Sequence, residues 1–90
     1  MKASAETRIS NELGLHLRAA AAFVKLAERY QADVQVERDG QSANGKSIIA
    51  LVTLAALKGV AVRVCAEGPD AEEAVEELVR LIDERFGEAR

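Results

Sequence analysis

The chain has no tryptophan, one tyrosine, two phenylalanines, one histidine, one cysteine and one proline in 90 residues. Each shortage removes a class of function. So few aromatic rings cannot form a base-stacking platform. A lone cysteine makes no intrachain disulfide, whereas a domain this small built for an oxidising compartment ordinarily carries several. One histidine and one cysteine supply no zinc constellation, and neither metal nor cofactor is expected. There is no excess of positive charge: 12 basic against 15 acidic residues leave a net charge of −3, which speaks against a general nucleic-acid binder. Met1 to Thr7 is polar and lacks the apolar run of a signal peptide. The longest apolar stretch, Ile48 to Leu57, contains Thr53 and falls far short of the ~20 residues that span a bilayer. The expectation is a cytoplasmic monomer that inserts into no membrane.

What is present is enough for one core. Hydrophobic residues make up 49% of the chain, and residues 1–90 are expected to form a single domain. A chain of this length buries only about 60–65% of its unfolded surface, so its stability will be modest. Residues 2–9 alternate, with Ala3, Ala5, Thr7 and Ile9 on one side and Lys2, Ser4, Glu6 and Arg8 on the other, the period of a half-buried strand. Helical spacing begins at Leu17 and holds to about Tyr30, with Ala20, Phe23, Val24 and Ala27 as the inner stripe. Val34 and Val36 alternate with polar residues, Asp39-Gly40 is a two-residue hairpin signal, and Gln41 to Ala43 pairs back. Ser47 has the hydroxyl of an N-cap for a helix from Ile48 to Leu57, which Gly59 ends. In that helix Leu51, Leu54, Ala55 and Leu57 are available to the core. Val60, Val62, Val64 and Ala66 form the inner side of a fourth strand, with Cys65 on the face of Arg63 and Glu67. Asp70 and Glu73 have capping-box spacing, ahead of a last helix that buries Ala71, Val75, Leu78, Ile82 and Phe86 and stops at Gly87. The order is β-α-β-β-α-β-α, an α+β chain. One apolar face per strand implies antiparallel pairing with helices on one side; periodicity leaves the strand order open.

The chemistry concentrates in Asn11 to Ala22. Gly14 precedes His16 by two residues, Arg18 follows by two, and a helix starts at once. The first N–H groups of a helix lack partners and its dipole makes that end positive, so it favours an anion. Here the N–H groups are those of Leu17 and Arg18. Imidazole titrates ordinarily near ~6.5, so a neutral nucleophile is accessible at pH 7. Phosphoryl transfer needs such a nucleophile and fixed positive partners. His16 as phosphoryl acceptor, with Leu17 and Arg18 holding the oxygens, is one reading of these residues, and a plain polar loop histidine is the other.

Gly40 to Ser47 reads Gly-x-x-x-x-Gly-Lys-Ser, the P-loop pattern. The match is taken as accidental, because its first glycine lies in a hairpin and 90 residues leave no room for the rest of a P-loop domain. Ser47 reads better as a cap with a second role as a phosphorylation site. Ile48, Ile49 and Val52 exceed what one inner face needs; they form either an exposed apolar patch of the kind that suits docking or part of a short helix buried on nearly every side. Cys65 is given only a packing or surface role.

These residues resemble a known family. Gly14-Leu15-His16-Leu17-Arg18-Ala19-Ala20 is similar to the active-site signature of HPr, the histidine-containing phosphocarrier of the bacterial phosphotransferase system, and Asn44-Gly45-Lys46-Ser47-Ile48 with Leu51 and Thr53 to Ala56 resembles its second signature. Ala66-Glu67-Gly68 and Asp70 to Ala74 continue the likeness. The resemblance implies an open-faced β-sandwich, a four-stranded antiparallel sheet in the order 1-4-2-3 with three helices on one face. It implies that His16 takes a phosphoryl group through Nδ1 from phosphorylated enzyme I, itself charged by phosphoenolpyruvate. His16 would pass it to A domains of sugar-specific or nitrogen-branch components, with Arg18 assisting. It makes Ser47 the site of a regulatory serine kinase and phosphorylase, and Leu17, Ala21, Lys25, Ile48, Ile49 and Val52 the docking residues. Ala19 stands where many members have proline, Leu17 is bulkier than usual, and Ala50 replaces a common glycine. The alternative in a different class is a regulatory binding module that docks according to its phosphorylation state, with little part in transport.

Overall fold

Alternating side chains build a sheet with two unlike faces. The computed structural model describes residues 1–90 and has four strands, β1 (Lys2–Arg8), β2 (Asp33–Arg38), β3 (Gln41–Asn44) and β4 (Ala61–Glu67). Three helices join them, α1 (Leu17–Ala27), α2 (Ile48–Thr53) and α3 (Ala71–Asp83). The sheet runs β1-β4-β2-β3, antiparallel throughout, so β1 and β3 are its edges. Register places Ala5 opposite Val64, Val64 opposite Val36, and Val36 opposite Ala43. This row of small and branched side chains is the floor of the core, and the helices cover it. On the open face Ser4, Cys65 and Gln35 line up across three strands, and next to them Glu6, Arg63 and Glu37 form a charged row. The α+β layout and the 1-4-2-3 order expected from the resemblance are the ones the chain adopts.

Phe23, Leu51, Leu78 and Ile82 are the large side chains closed over that floor, all fully buried. Each contributes roughly 1.5–3 kcal/mol by leaving water. The hairpin after β2 turns as its sequence dictates, since Asp39 (φ 48°) and Gly40 (φ 81°) both adopt the left-handed values of a type I′ turn. Gly45 is required for a different reason. A Cβ there would stand 2.9 Å from Val34 Cβ and 3.2 Å from Phe23 Cε1, and its N–H donates to the Val34 carbonyl at 2.7 Å. The glycine lets β3 leave the sheet under the core.

Several boundaries differ from the sequence expectation. α1 ends at Ala27, not near Tyr30, and Glu28 to Tyr30 close it as turns. α2 stops at Thr53 because Ala55 goes left-handed (φ 56°), which sends the Ala56 carbonyl to the Leu15 N–H at 2.9 Å. As a result Ala56 is buried, while Ala55 and Leu57 are exposed and do not serve the core. Gly59 belongs to the turn into β4, donating to the Ile9 carbonyl at 2.7 Å, and does not end α2. α3 stops at Asp83, and Phe86 reaches the core through a tight turn, Arg85–Gly87, in which Arg85 and Phe86 are both left-handed. The Asp70 carboxylate makes no capping bond to α3. It accepts instead from the N–H groups of Gln31 and Ala32, both at 2.9 Å, fastening the start of α3 to the segment before β2.

Candidate functional site

Gly14 allows the loop to pass close to the exit of α2. It is left-handed (φ +70°), and a Cβ would lie 2.7 Å from the Ala56 carbonyl oxygen, closer than packed atoms tolerate. Leu15 is buried beyond it and anchors the loop. His16 follows in extended geometry and is the N-cap of α1. Its carbonyl accepts from the Ala20 N–H at 2.8 Å, and its Nδ1 accepts from the Arg18 N–H at 3.2 Å. The imidazole nitrogen therefore lies over the positive end of an 11-residue helix whose first turn carries no acidic residue. The Arg18 side chain is exposed and makes no ion pair in the molecule. Nδ1 and a helix N-terminus thus lie together, with Arg18 lining the same cleft, where an anion can sit.

The other ring nitrogen meets a group that the sequence does not announce. Glu88 Oε2 lies 2.5 Å from His16 Nε2, and Glu88 Oε1 accepts from Asn11 Nδ2 at 3.0 Å. Asn11 is wholly buried, and the same Nδ2 donates to the Gly14 carbonyl at 2.8 Å. Partial burial pushes the Glu88 carboxyl up, but the hydrogen bonds from Asn11 and His16 and the nearby Arg18 charge outweigh it and hold the group below its usual range. Glu12 N–H donates to the Arg90 carbonyl at 3.0 Å, closing the last residues over the loop. Sequence reasoning misses Glu88 because it lies 72 residues from His16 in the chain, past the end of any periodic pattern. The only local hint is Gly87.

The remaining expected residues fall in two groups. Leu17 is exposed beside His16, and Ala21 (half-buried) and Lys25 (exposed) come next on α1. Ser47 caps α2, its hydroxyl accepting from the Ala50 N–H at 3.2 Å. Ile49 is 79% exposed and Val52 is exposed as well, whereas Ile48 is half-buried against the core and contributes only in part to the patch. α1 and α2 pack against each other, so both stretches belong to one side of the molecule. Leu13 and Leu57, neither expected there, add exposed apolar surface around the loop.

The P-loop pattern forms no phosphate cradle. Gly40 is in the hairpin, Gly45 is under the core, and Lys46 Nζ is tied to the Tyr30 carbonyl at 2.8 Å. Cys65 lies on the open face of the sheet, where partial burial and the neighbouring Glu37 push its thiol up, the reverse of what a nucleophile needs. No three acidic, histidine or cysteine side chains gather as a metal site. No helix is long and apolar enough to cross a membrane.

Comparison with known proteins identifies the family and the fold. Residues 3–84 match the family model described as PTS HPr component phosphorylation site. The chain is 49% identical over 79 residues to phosphocarrier protein HPr of Vibrio cholerae, covering 88% of this chain and 93% of that protein. It is 49% identical over 84 residues to the HPr of Pseudomonas aeruginosa, covering 92% and 93%. Among solved structures it superimposes on an HPr of Thermoanaerobacter tengcongensis with a TM-score of 0.93 at 40% identity, over 98% of this chain and 99% of that one.

Proposed function

Because the chain belongs to the HPr family of phosphocarriers of the phosphotransferase system, we propose that His16 is the residue that carries the phosphoryl group. Residues 1–90 act as one domain, a cytoplasmic monomer, which receives the group on Nδ1 from phosphorylated enzyme I and passes it to A domains. The observation that carries this reading is the placement of Nδ1 at the start of α1, with the Arg18 N–H on it and the Arg18 guanidinium unpaired. In the transfer the Nδ1 lone pair attacks phosphorus, the Nδ1–P bond forms, and the bond to the donor nitrogen breaks with its electron pair. Charge spreads over three phosphoryl oxygens; the Arg18 N–H, released from Nδ1 as the N–P bond forms, turns to these oxygens together with the rest of the helix end and the Arg18 guanidinium.

Docking falls to Leu17, Ala21, Lys25, Ile49 and Val52, with Ile48 as partial support. Ser47 is the regulatory site. A phosphate on its hydroxyl adds about −1.5 to −2 charges beside the apolar patch. Exposed unit charges ~4 Å apart interact by only ~1 kcal/mol in water, whereas burying an anion in an apolar interface costs several. Desolvation is therefore the main block to docking.

The test is direct. The full chain is incubated with enzyme I, Mg²⁺ and phosphoenolpyruvate, and its intact mass is measured. One added phosphoryl group, lost in mild acid, kept in base and absent from His16→Ala, is the expected result. No added mass on the folded native chain would replace the carrier reading with that of a regulatory module.

A further inference from the structure

The contacts behind His16 do more than hold a loop. An ionised carboxylate only accepts hydrogen bonds, and Glu88 Oε2 lies on Nε2, while Nδ1 accepts from the Arg18 N–H. Both neighbours therefore place the ring proton on Nε2 and the lone pair on Nδ1. Glu88 is itself oriented by Asn11, a wholly buried amide fixed to Gly14, and Phe86, two residues before it, is buried in the core. The other charged groups lining this cleft are Glu12, Arg18 and Arg90, and none of them bonds to Nε2.

We propose that Asn11 and Glu88 form a positioning relay that confines the phosphoryl group to Nδ1 of His16 and balances the ring charge while the group is carried. The proposal rests on the carrier reading of His16. When phosphorus bonds to Nδ1, the Nε2 proton stays, so the ring holds a substituent on each nitrogen and a formal positive charge. Glu88 meets that charge at Nε2. Its own negative charge excludes a dianionic phosphoryl group from the same nitrogen. Asn11 keeps the carboxylate aimed, so neither residue touches the reacting phosphorus. This is the role that an orienting carboxylate plays behind a histidine in other nucleophilic sites.

Phosphoramidate tests this without any partner protein. Its P–N bond breaks, ammonia leaves with the electron pair, and an N–P bond forms on the imidazole with no net proton change. The products on the full-length native chain, Glu88→Gln and Glu88→Ala are assigned by ³¹P NMR. The native chain is expected to hold only the Nδ1 isomer. In Glu88→Ala the ratio of Nδ1 to Nε2 isomer should fall by about tenfold or more, the scale of one charge-assisted hydrogen bond, and Glu88→Gln, which keeps an acceptor but no charge, should fall between. Asn11→Ala should shift the ratio in the same direction, with its melting curve recorded alongside. A second readout needs no phosphate: an exchange-protected His16 Nε2–H signal in the native chain that disappears in Glu88→Ala. An unchanged isomer ratio together with an unchanged Nε2–H signal sinks the relay alone. A native chain that takes no phosphoryl group from phosphoramidate removes the carrier reading, and the proposal with it.

Discussion

Two helix starts in this molecule use one device for opposite ends. At α1 a side-chain nitrogen of His16 caps the Arg18 N–H, and at α2 the Ser47 hydroxyl caps the Ala50 N–H, at the same 3.2 Å. Their surroundings differ. α1 runs for 11 residues and places an unpaired arginine beside its cap, while α2 runs for six and places Ile48, Ile49 and Val52 there instead. On the proposed reading, a phosphoryl group at the first start meets a cation and a long dipole, and one at the second burdens a surface that docks while uncharged. The side chains just past each cap would then decide whether phosphate is cargo or obstacle.

The contrast can be broken from either side. Replacing Arg18 by Ala should cost most: loss of a fixed positive partner lowers transition-state stabilisation, and the transfer rate from enzyme I should fall by about 10²-fold or more. The fold should persist, because that side chain bonds to nothing in the molecule. Rapid-quench transfer kinetics with circular dichroism on the same sample check both halves. A rate within a factor of two of the native one would remove Arg18 from the site.

Next in size is Ser47→Asp, which adds charge to the apolar side. The expected outcome is donor docking weakened by roughly tenfold, seen as a higher KM for the chain as substrate of enzyme I, with an unchanged melting temperature. A lower maximal rate at unchanged KM would mean that Ser47 acts on the chemistry and not on docking.

The smallest effect sharpens the comparison with a third helix start. At α3 the cap position holds Asp70, but its carboxylate serves the Gln31 and Ala32 N–H groups. The Gln31 bond is the largest influence lowering its titration; desolvation opposes, and the Ala32 bond and the charge of Lys46 add to the lowering. A carboxyl held below its unfolded value stabilises the fold above the unfolded pKa, and that contribution fades as pH falls through the folded one. Asp70→Asn should therefore melt a little below the native chain at neutral pH, and the two curves should converge in acid. A gap that persists unchanged at the acid end would assign the loss to shape and not to charge.

How much of the molecule is legible in its sequence depends on the distance between partners along the chain. Gly14, His16 and Arg18 are neighbours in sequence, so one helix start reveals them together. The faces of β1, β2 and β4 are legible for the same reason, since alternation is local. Glu88 is not, because its approach to His16 depends on two left-handed residues, Arg85 and Phe86, that no periodicity encodes. The Asp70 spacing fits a cap, yet two backbone donors nearly forty residues away compete successfully for its oxygens. Periodicity draws α2 too long because nothing near Ala55 signals that Leu15 needs the Ala56 carbonyl. The strand order comes from the resemblance and not from the pattern.

The two edges of the sheet carry a further consequence. An unpaired strand edge is a template on which other chains add, and proteins hold such edges in check with charge and brevity. β1 presents Lys2, Glu6 and Arg8 along its solvent side, and β3 is only four residues long, polar except for Ala43. Arg8 also donates to the Gly59 carbonyl at 2.9 Å, fastening the end of β1 to the turn that leads into β4. Charge along one edge and brevity at the other make both poor templates for an added strand.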